Sequence, residues 1–292
     1  MTASTLIHVD GRVLAALDFS TYASSVADLA GWAASRMSAP LELVHAIDRH
    51  PAEPAKTDLS GSLSLGSQED LLAELAALDE ARGKVAQQSG RRLLEQAQAR
   101  VAGAFGITAE LRQRHGALVE TLLELESGVR LFVLGKRGEH ADSAKGHLGS
   151  NLERVMRAVH RPVLVASRTF QSVNKFLIAF DDSPTTRKCV EMVCASPLLK
   201  GLQCSLLMVA DPTKAHAGMG WAKALLTEAG FSVAEAVVAG PPDAVVAAHV
   251  QAEAIDLLVM GAYGHSKIRT LIVGSTTTQV LRACQVPVLL LR

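Results

Sequence analysis

The chain repeats itself, and that repetition narrows the folds open to it more than any other feature. Arg12-Val13-Leu14-Ala15-Ala16-Leu17-Asp18 aligns with Lys175-Phe176-Leu177-Ile178-Ala179-Phe180-Asp181, and Leu43-Val44-His45-Ala46-Ile47-Asp48 with Leu206-Leu207-Met208-Val209-Ala210-Asp211, both at an offset of 163. Towards the end of each copy, Gly149-Ser150 and Arg161-Pro162-Val163-Leu164 align with Gly274-Ser275 and Val286-Pro287-Val288-Leu289 at an offset of 125. The first copy therefore holds about 38 extra residues, within about 49–103. Copies of this size predict two domains, 1–169 and 170–292, jointed at Arg168-Thr169-Phe170-Gln171-Ser172.

Each copy alternates short apolar runs with amphipathic stretches, the pattern of a parallel sheet wrapped by helices. Val13 to Leu17, Leu41 to Ile47, Leu131 to Leu134 and Val163 to Ala166 are nearly continuous, as strands covered on both faces require. The second copy repeats them at Phe176 to Phe180, Cys204 to Val209, Leu257 to Met260 and Val288 to Leu291. Weaker fifth strands are expected at Thr108 to Arg112 and Ser232 to Val238. Ser20 and Ser183-Pro184 read as helix starts, and Gly116 and Gly240 precede the helices Ala117 to Glu126 and Ala244 to Glu253. Within the insertion, His50 to Gln68 reads as an exposed loop. Glu69 to Gly103 reads as a long helix bent near Gly83 or Gly90, packing on its own sheet in preference to serving as a partner-binding arm.

The second copy ends in a turn suited to phosphate: Gly261, Gly264 and Gly274-Ser275, spaced by two and nine residues, follow a buried strand. Glycines let backbone N–H groups approach an anion, and the helix opened by Ser275 and Thr276 offers its positive end. The same glycines equally serve to close a tight strand-to-helix turn. Asp181, at the carboxyl end of the first strand, can accept from a ribose hydroxyl or a purine amino group, or can cap the next helix. The first copy offers Asp18 with Gly135, Gly138, Gly149 and Ser150, but ten residues separate Gly138 from Gly149. That added residue redirects the loop's N–H groups; Lys136, Arg137 and Lys145 are the charges available to compensate, offset in part by Glu139 and Asp142, and charged residues in a surface loop more often only meet solvent.

Composition removes several alternatives. Lysine plus arginine equals aspartate plus glutamate at 29 each, so no global field draws the chain to nucleic acid or an anionic membrane. No signal peptide or membrane-length apolar run is evident, which predicts a cytoplasmic protein. Cys189, Cys194, Cys204 and Cys284 lack C-x-x-C spacing and read as small buried hydrophobes rather than disulfide or zinc ligands. Neither a dinucleotide fingerprint nor a P-loop lysine is present, which argues against rapid phosphoryl transfer. His265 reads as a solvated turn residue, and the spacing of His140, Asp142 and His147 matches no strong metal motif.

Leu257-Leu258-Val259-Met260-Gly261-Ala262-Tyr263-Gly264 with Gly274-Ser275 and Pro287-Val288-Leu289-Leu290 resembles the glycine pattern of the universal stress protein family, and the chain resembles a tandem member of it. The resemblance implies two Rossmann-like α/β domains, each an open five-stranded parallel sheet of order 3-2-1-4-5 flanked by helices. It implies ATP or AMP, with magnesium as an optional companion, over the sheet's reversal point. Asp181 and Val209 would contact adenine or ribose, Met260 and Gly261 would line the ribose side, and Gly264, Gly274, Ser275 and Thr276 would cradle phosphates. The first copy, with Phe19 after Asp18 and the longer loop, is expected to hold a degenerate site or a different ligand.

The expected function is a nucleotide-binding stress-response sensor or regulator with an unidentified protein partner. The alternatives are an adaptor without nucleotide and a slow ATPase using His265. The last strand of each copy should be a sheet edge, and in single-domain relatives that edge makes the dimer. A tandem chain can satisfy both edges internally, which predicts a monomer that mimics a dimer or a further homodimer.

Overall fold

In the computed structural model, residues 8–47, 65–138, 148–261 and 275–292 are described. The first copy runs β1 (Arg12–Ala16), α1 (Ala23–Met37), β2 (Leu41–Ile47), α2 (Leu65–Phe105), β3 (Glu110–His115), α3 (Leu118–Leu125), β4 (Val129–Gly135), α4 (Ser150–Ala158) and β5 (Val163–Ala166). The second runs β6 (Lys175–Phe180), α5 (Pro184–Ala195), β7 (Gln203–Val209), α6 (Ala217–Glu228), β8 (Val233–Val238), α7 (Pro242–Ala252), β9 (Leu257–Gly261), α8 (Ser275–Ala283) and β10 (Val288–Leu291).

Each copy forms a parallel sheet in the order 3-2-1-4-5, and the two join into one ten-stranded sheet, β3-β2-β1-β4-β5-β10-β9-β6-β7-β8. The joint is antiparallel: Val165 faces Val288, Leu164 faces Leu289 and Val163 faces Leu290. The edge strand of one copy thus satisfies the edge of the other.

The continuous apolar runs follow from this geometry, because successive residues of one strand enter opposite cores. Val13, Leu131, Val259 and Leu289 pack under α1, α2, α5 and α6. Leu14, Phe132, Leu258 and Leu290 pack under α3, α4, α7 and α8. Both cores pass from one copy to the other beneath the shared sheet, so the halves are joined by apolar burial as well as by the β5–β10 ladder.

Ser183 caps α5 as read from sequence, its hydroxyl accepting the Thr186 N–H at 3.3 Å with Pro184 in the first turn. Ser20 differs. Its hydroxyl accepts the Tyr22 N–H in a local turn, and α1 starts only at Ala23. The insertion also differs from expectation. Its helix begins at Leu65, inside the segment read as loop, and runs unbroken through Gly83 and Gly90. Gly90 is a point of close approach: a Cβ there would stand 2.4 Å from the His45 ring and 2.5 Å from the Gln113 amide nitrogen. The absent side chain lets α2 lie down on β2 and β3. Beyond that point Leu94, Ala97 and Val101 are buried, whereas the preceding turns expose Leu75, Leu78 and Val85.

Candidate functional site

The strand order reverses between β1 and β4 in the first copy and between β6 and β9 in the second, opening a crevice at the carboxyl ends of those strands. In the second copy, three adjacent strands deliver Val209 from β7, Asp181 just beyond β6 and Met260-Gly261 from β9 to this end. Met260 is buried, and Gly261 lies so close to α5 that a Cβ would stand 2.9 Å from the Thr185 methyl.

Asp181 organises the first turn of α5: its Oδ1 accepts from the Ser183 N–H at 3.0 Å and from the Thr186 hydroxyl at 2.7 Å. The capping role weighed for this residue is therefore real. It does not compete with ligand contact, since a carboxylate offers about four acceptor positions. Ser275 and Thr276 stand in the opening turn of α8, while Gly264, His265 and Gly274 lie outside the described residues.

Beside this crevice is a cluster that the sequence reading did not single out. Asp182 holds a left-handed backbone with φ of 62° and pairs with Arg187 at 2.6 Å. The Arg187 guanidinium lies 4.6 Å from the centre of the Trp221 ring, which in turn stacks on Phe180 at 6.4 Å. A non-glycine residue in this conformation costs about 1–3 kcal/mol, so the surrounding contacts must hold it there. No local sequence signal links Trp221 in α6 to Arg187 in α5; only the fold brings them together.

In the first copy, Leu17, Asp18, Gly135, Arg137, Gly138 and Asn151 line the corresponding crevice. Asp18 Oδ1 accepts the Ser20 N–H at 3.1 Å, repeating the local turn of Asp181. A Cβ on Gly138 would stand 3.1 Å from Asp18 Oδ2, so the loop and the carboxylate meet there. Gly149 caps α4 by backbone alone, and its N–H donates to the Lys136 carbonyl at 3.2 Å. Ser150 opens the helix and is exposed. Phe19 packs edge-on against His45 at 5.3 Å.

Lys136, weighed as a compensating charge for this loop but read more readily as a solvated side chain, is neither. Its Nζ donates at 2.6 Å to the Cys284 carbonyl, just past α8 of the other copy, where the helix's negative end favours a cation. Burial pushes its pKa down to about 8. Arg137 remains at the crevice, while Lys145, His140, Asp142 and His147 lie outside the described residues.

The four cysteines are free, and burial raises their pKa values, to about 12 for Cys189 and Cys204 and about 11 for Cys194 and Cys284. They are protonated and chemically quiet at neutral pH. No helix among the described residues is long and apolar enough to cross a membrane.

The sequence profile of the universal stress protein family matches residues 11–167 and 207–292. The chain is 34% identical over 286 residues to universal stress protein Slr1230 of Synechocystis, covering 96% of this chain and 99% of that protein. Among solved structures, a universal stress protein from Archaeoglobus fulgidus superposes with a TM-score of 0.67 at 18% identity, covering 98% of both chains. A functionally unknown Pseudomonas aeruginosa protein superposes with a TM-score of 0.59 at 16% identity, covering 99% of this chain and 94% of its own.

Proposed function

The chain belongs to the universal stress protein family, and on that premise we propose that it binds an adenine nucleotide, ATP or AMP, in the crevice of its second copy and acts as a sensor or regulator through occupancy. The observation that carries this reading is the convergence of Val209, Asp181 and Gly261 at the ends of three adjacent strands, at the point where the strand order reverses. In this reading Asp181 and Val209 meet ribose or adenine, Met260 and Gly261 line the ribose side, and Gly264, Gly274, Ser275 and Thr276 hold the phosphates. Magnesium would accompany the phosphates. The units are 1–169 and 170–292, and the second carries the function.

Two contacts favour a degenerate first site, built on Asp18, Gly135, Gly138, Gly149 and Ser150. The Gly149 N–H is engaged by the Lys136 carbonyl, and the Lys136 ammonium is drawn to the other copy. A backbone donor and a cation that a phosphate would use are both occupied.

Titration calorimetry of magnesium ATP into nucleotide-stripped protein tests the assignment. One site per chain is expected, abolished by Gly264→Val and retained in Gly138→Val. Two sites would show that the first crevice works as well, and silence for ATP and AMP at two temperatures would overturn the reading. Hydrolysis at about 1 per second or faster would replace sensing by catalysis. A second reading, an adaptor acting through protein contacts, is favoured by the exposed Leu75, Leu78 and Val85 of α2. Under it, Gly264→Val would leave partner capture intact.

A further inference from the structure

A separate cavity of about 200 Å³ lies at the seam between the copies, at the end of β4 opposite to the first crevice. Its floor is apolar, with Leu131 from β4 and Leu289 and Leu291 from β10, and Met37 of α1 and Met192 of α5 close its sides. Arg130, Arg161, Lys188 and Arg292 also line it, and no aspartate or glutamate side chain among the described residues does.

Arg130 is the informative residue. It is only 8% exposed, yet it forms no ion pair among the described residues; one guanidinium nitrogen donates to the Val9 carbonyl at 3.1 Å. Asp10 attracts it from an exposed turn, and burial lowers its pKa. Glu126, a carboxylate next to the cavity-lining His160 and Arg161, is engaged by the backbone N–H groups of both and by the His160 ring. Water screens Asp10 in its exposed turn, so the buried guanidinium is only partly balanced, and an anion in the cavity would offset the cost of burying it. The repeat itself does not require this arginine. Aligning Gly135 with Gly261 places Asp256 at the matching position, where it accepts the N–H groups of Asn174 and Lys175 at 2.8 and 3.0 Å.

We propose that this seam cavity is a second ligand site, for a small amphiphilic anion: a carboxylate joined to a short acyl chain or an aromatic ring. The volume accommodates about ten non-hydrogen atoms, somewhat more than the benzene held by a cavity of about 150 Å³. The carboxylate meets Arg130 at one end, and the apolar body lies on the leucines of β4 and β10.

Octanoate is the probe, titrated calorimetrically into the full chain and followed by the methyl resonance of Met192. Saturable binding that shifts this methyl is expected. Arg130→Met should weaken it about tenfold or more and Lys188→Glu several-fold, because a charged contact is lost in each. Lys188 is exposed, so its variant carries the test if Arg130→Met folds poorly. Octanol and acetate, each lacking one half of the ligand, should bind at least about tenfold more weakly. Octanoate affinity should be unchanged with AMP saturating. Four outcomes would overturn the site: no octanoate binding up to millimolar concentration, equal binding by both variants, equal binding of octanol or acetate, or displacement by AMP.

Discussion

At matching places on β2 and β7 the two copies solve one problem with different chemistry. The first buries Glu42, 1% exposed, between Arg12 at 3.0 Å and Arg112. The second, at Ser205, has a hydroxyl hydrogen-bonded to His249 of α7 at 3.1 Å. Both residues sit under the same layer of helices, on strands holding the same parallel neighbours. The fold therefore requires only that a polar group facing this layer be satisfied; charge is an elaboration of the first copy. A neutral pair needs one partner, whereas a buried carboxylate needs counter-charge from both adjacent strands.

Removing each polar group tests that contrast most strongly. Glu42→Ala strands two partly buried guanidinium groups and should cost about 4 kcal/mol in urea unfolding. Ser205→Ala leaves one histidine nitrogen without its partner and should cost about 1 kcal/mol. Equal losses would mean that the charged triad has no special weight in the first copy.

Lys136 joins the copies, and its titration tests that joint. Its folded pKa of about 8 lies below the ordinary 10.5, so between those values the unfolded chain holds a proton that the folded chain has released. Its contribution to stability rises with pH across that window, and the full cost of burying the cation is present below pH 8. The thiols, three buried and Cys194 half-buried, act in the opposite sense: raised to about 11 or 12 from 9.0, they retain protons that the unfolded chain loses, and stability falls above pH 9. Lys136→Met isolates the lysine. The stability of the native chain relative to this variant should rise by about 2 kcal/mol from pH 8 to 10.5. A flat difference would show that the ammonium reaches water at the seam.

What the sequence disclosed and what it concealed follow from the range of the interactions involved. The strands of the two-faced sheet were legible because burial on both sides demands unbroken apolar runs such as Leu131 to Leu134. The α5 cap was legible because Ser183 and Pro184 act within one turn. Gly90 was misread as a bend, since glycine weakens an isolated helix and only the nearness of His45 shows why it is there. Lys136 read as a loop charge facing solvent because its true partner, the Cys284 carbonyl, lies in the other copy. At the candidate site, Asp181 and Gly261 were visible from strand ends and turn spacing. The Asp182–Arg187–Trp221 cluster was not, because α5 and α6 meet only after folding.

The long insertion sharpens the comparison at its smallest scale. Between the second and third strands of each sheet, the first copy places the 41 residues of α2 and the second the 12 of α6. Only part of that extra length belongs to the fold, because Leu94 is 2% exposed while Leu78 is 48% exposed. Leu94→Ala should cost about 3 kcal/mol through the cavity it leaves against α1 and the sheet. Leu78→Glu should change stability by less than about 0.5 kcal/mol, since no packed neighbour is lost. A loss above about 1 kcal/mol from Leu78→Glu would mean that the first turns of α2 pack in solution after all. A neutral result leaves this stretch of α2 unexplained by folding, as an adaptor surface requires.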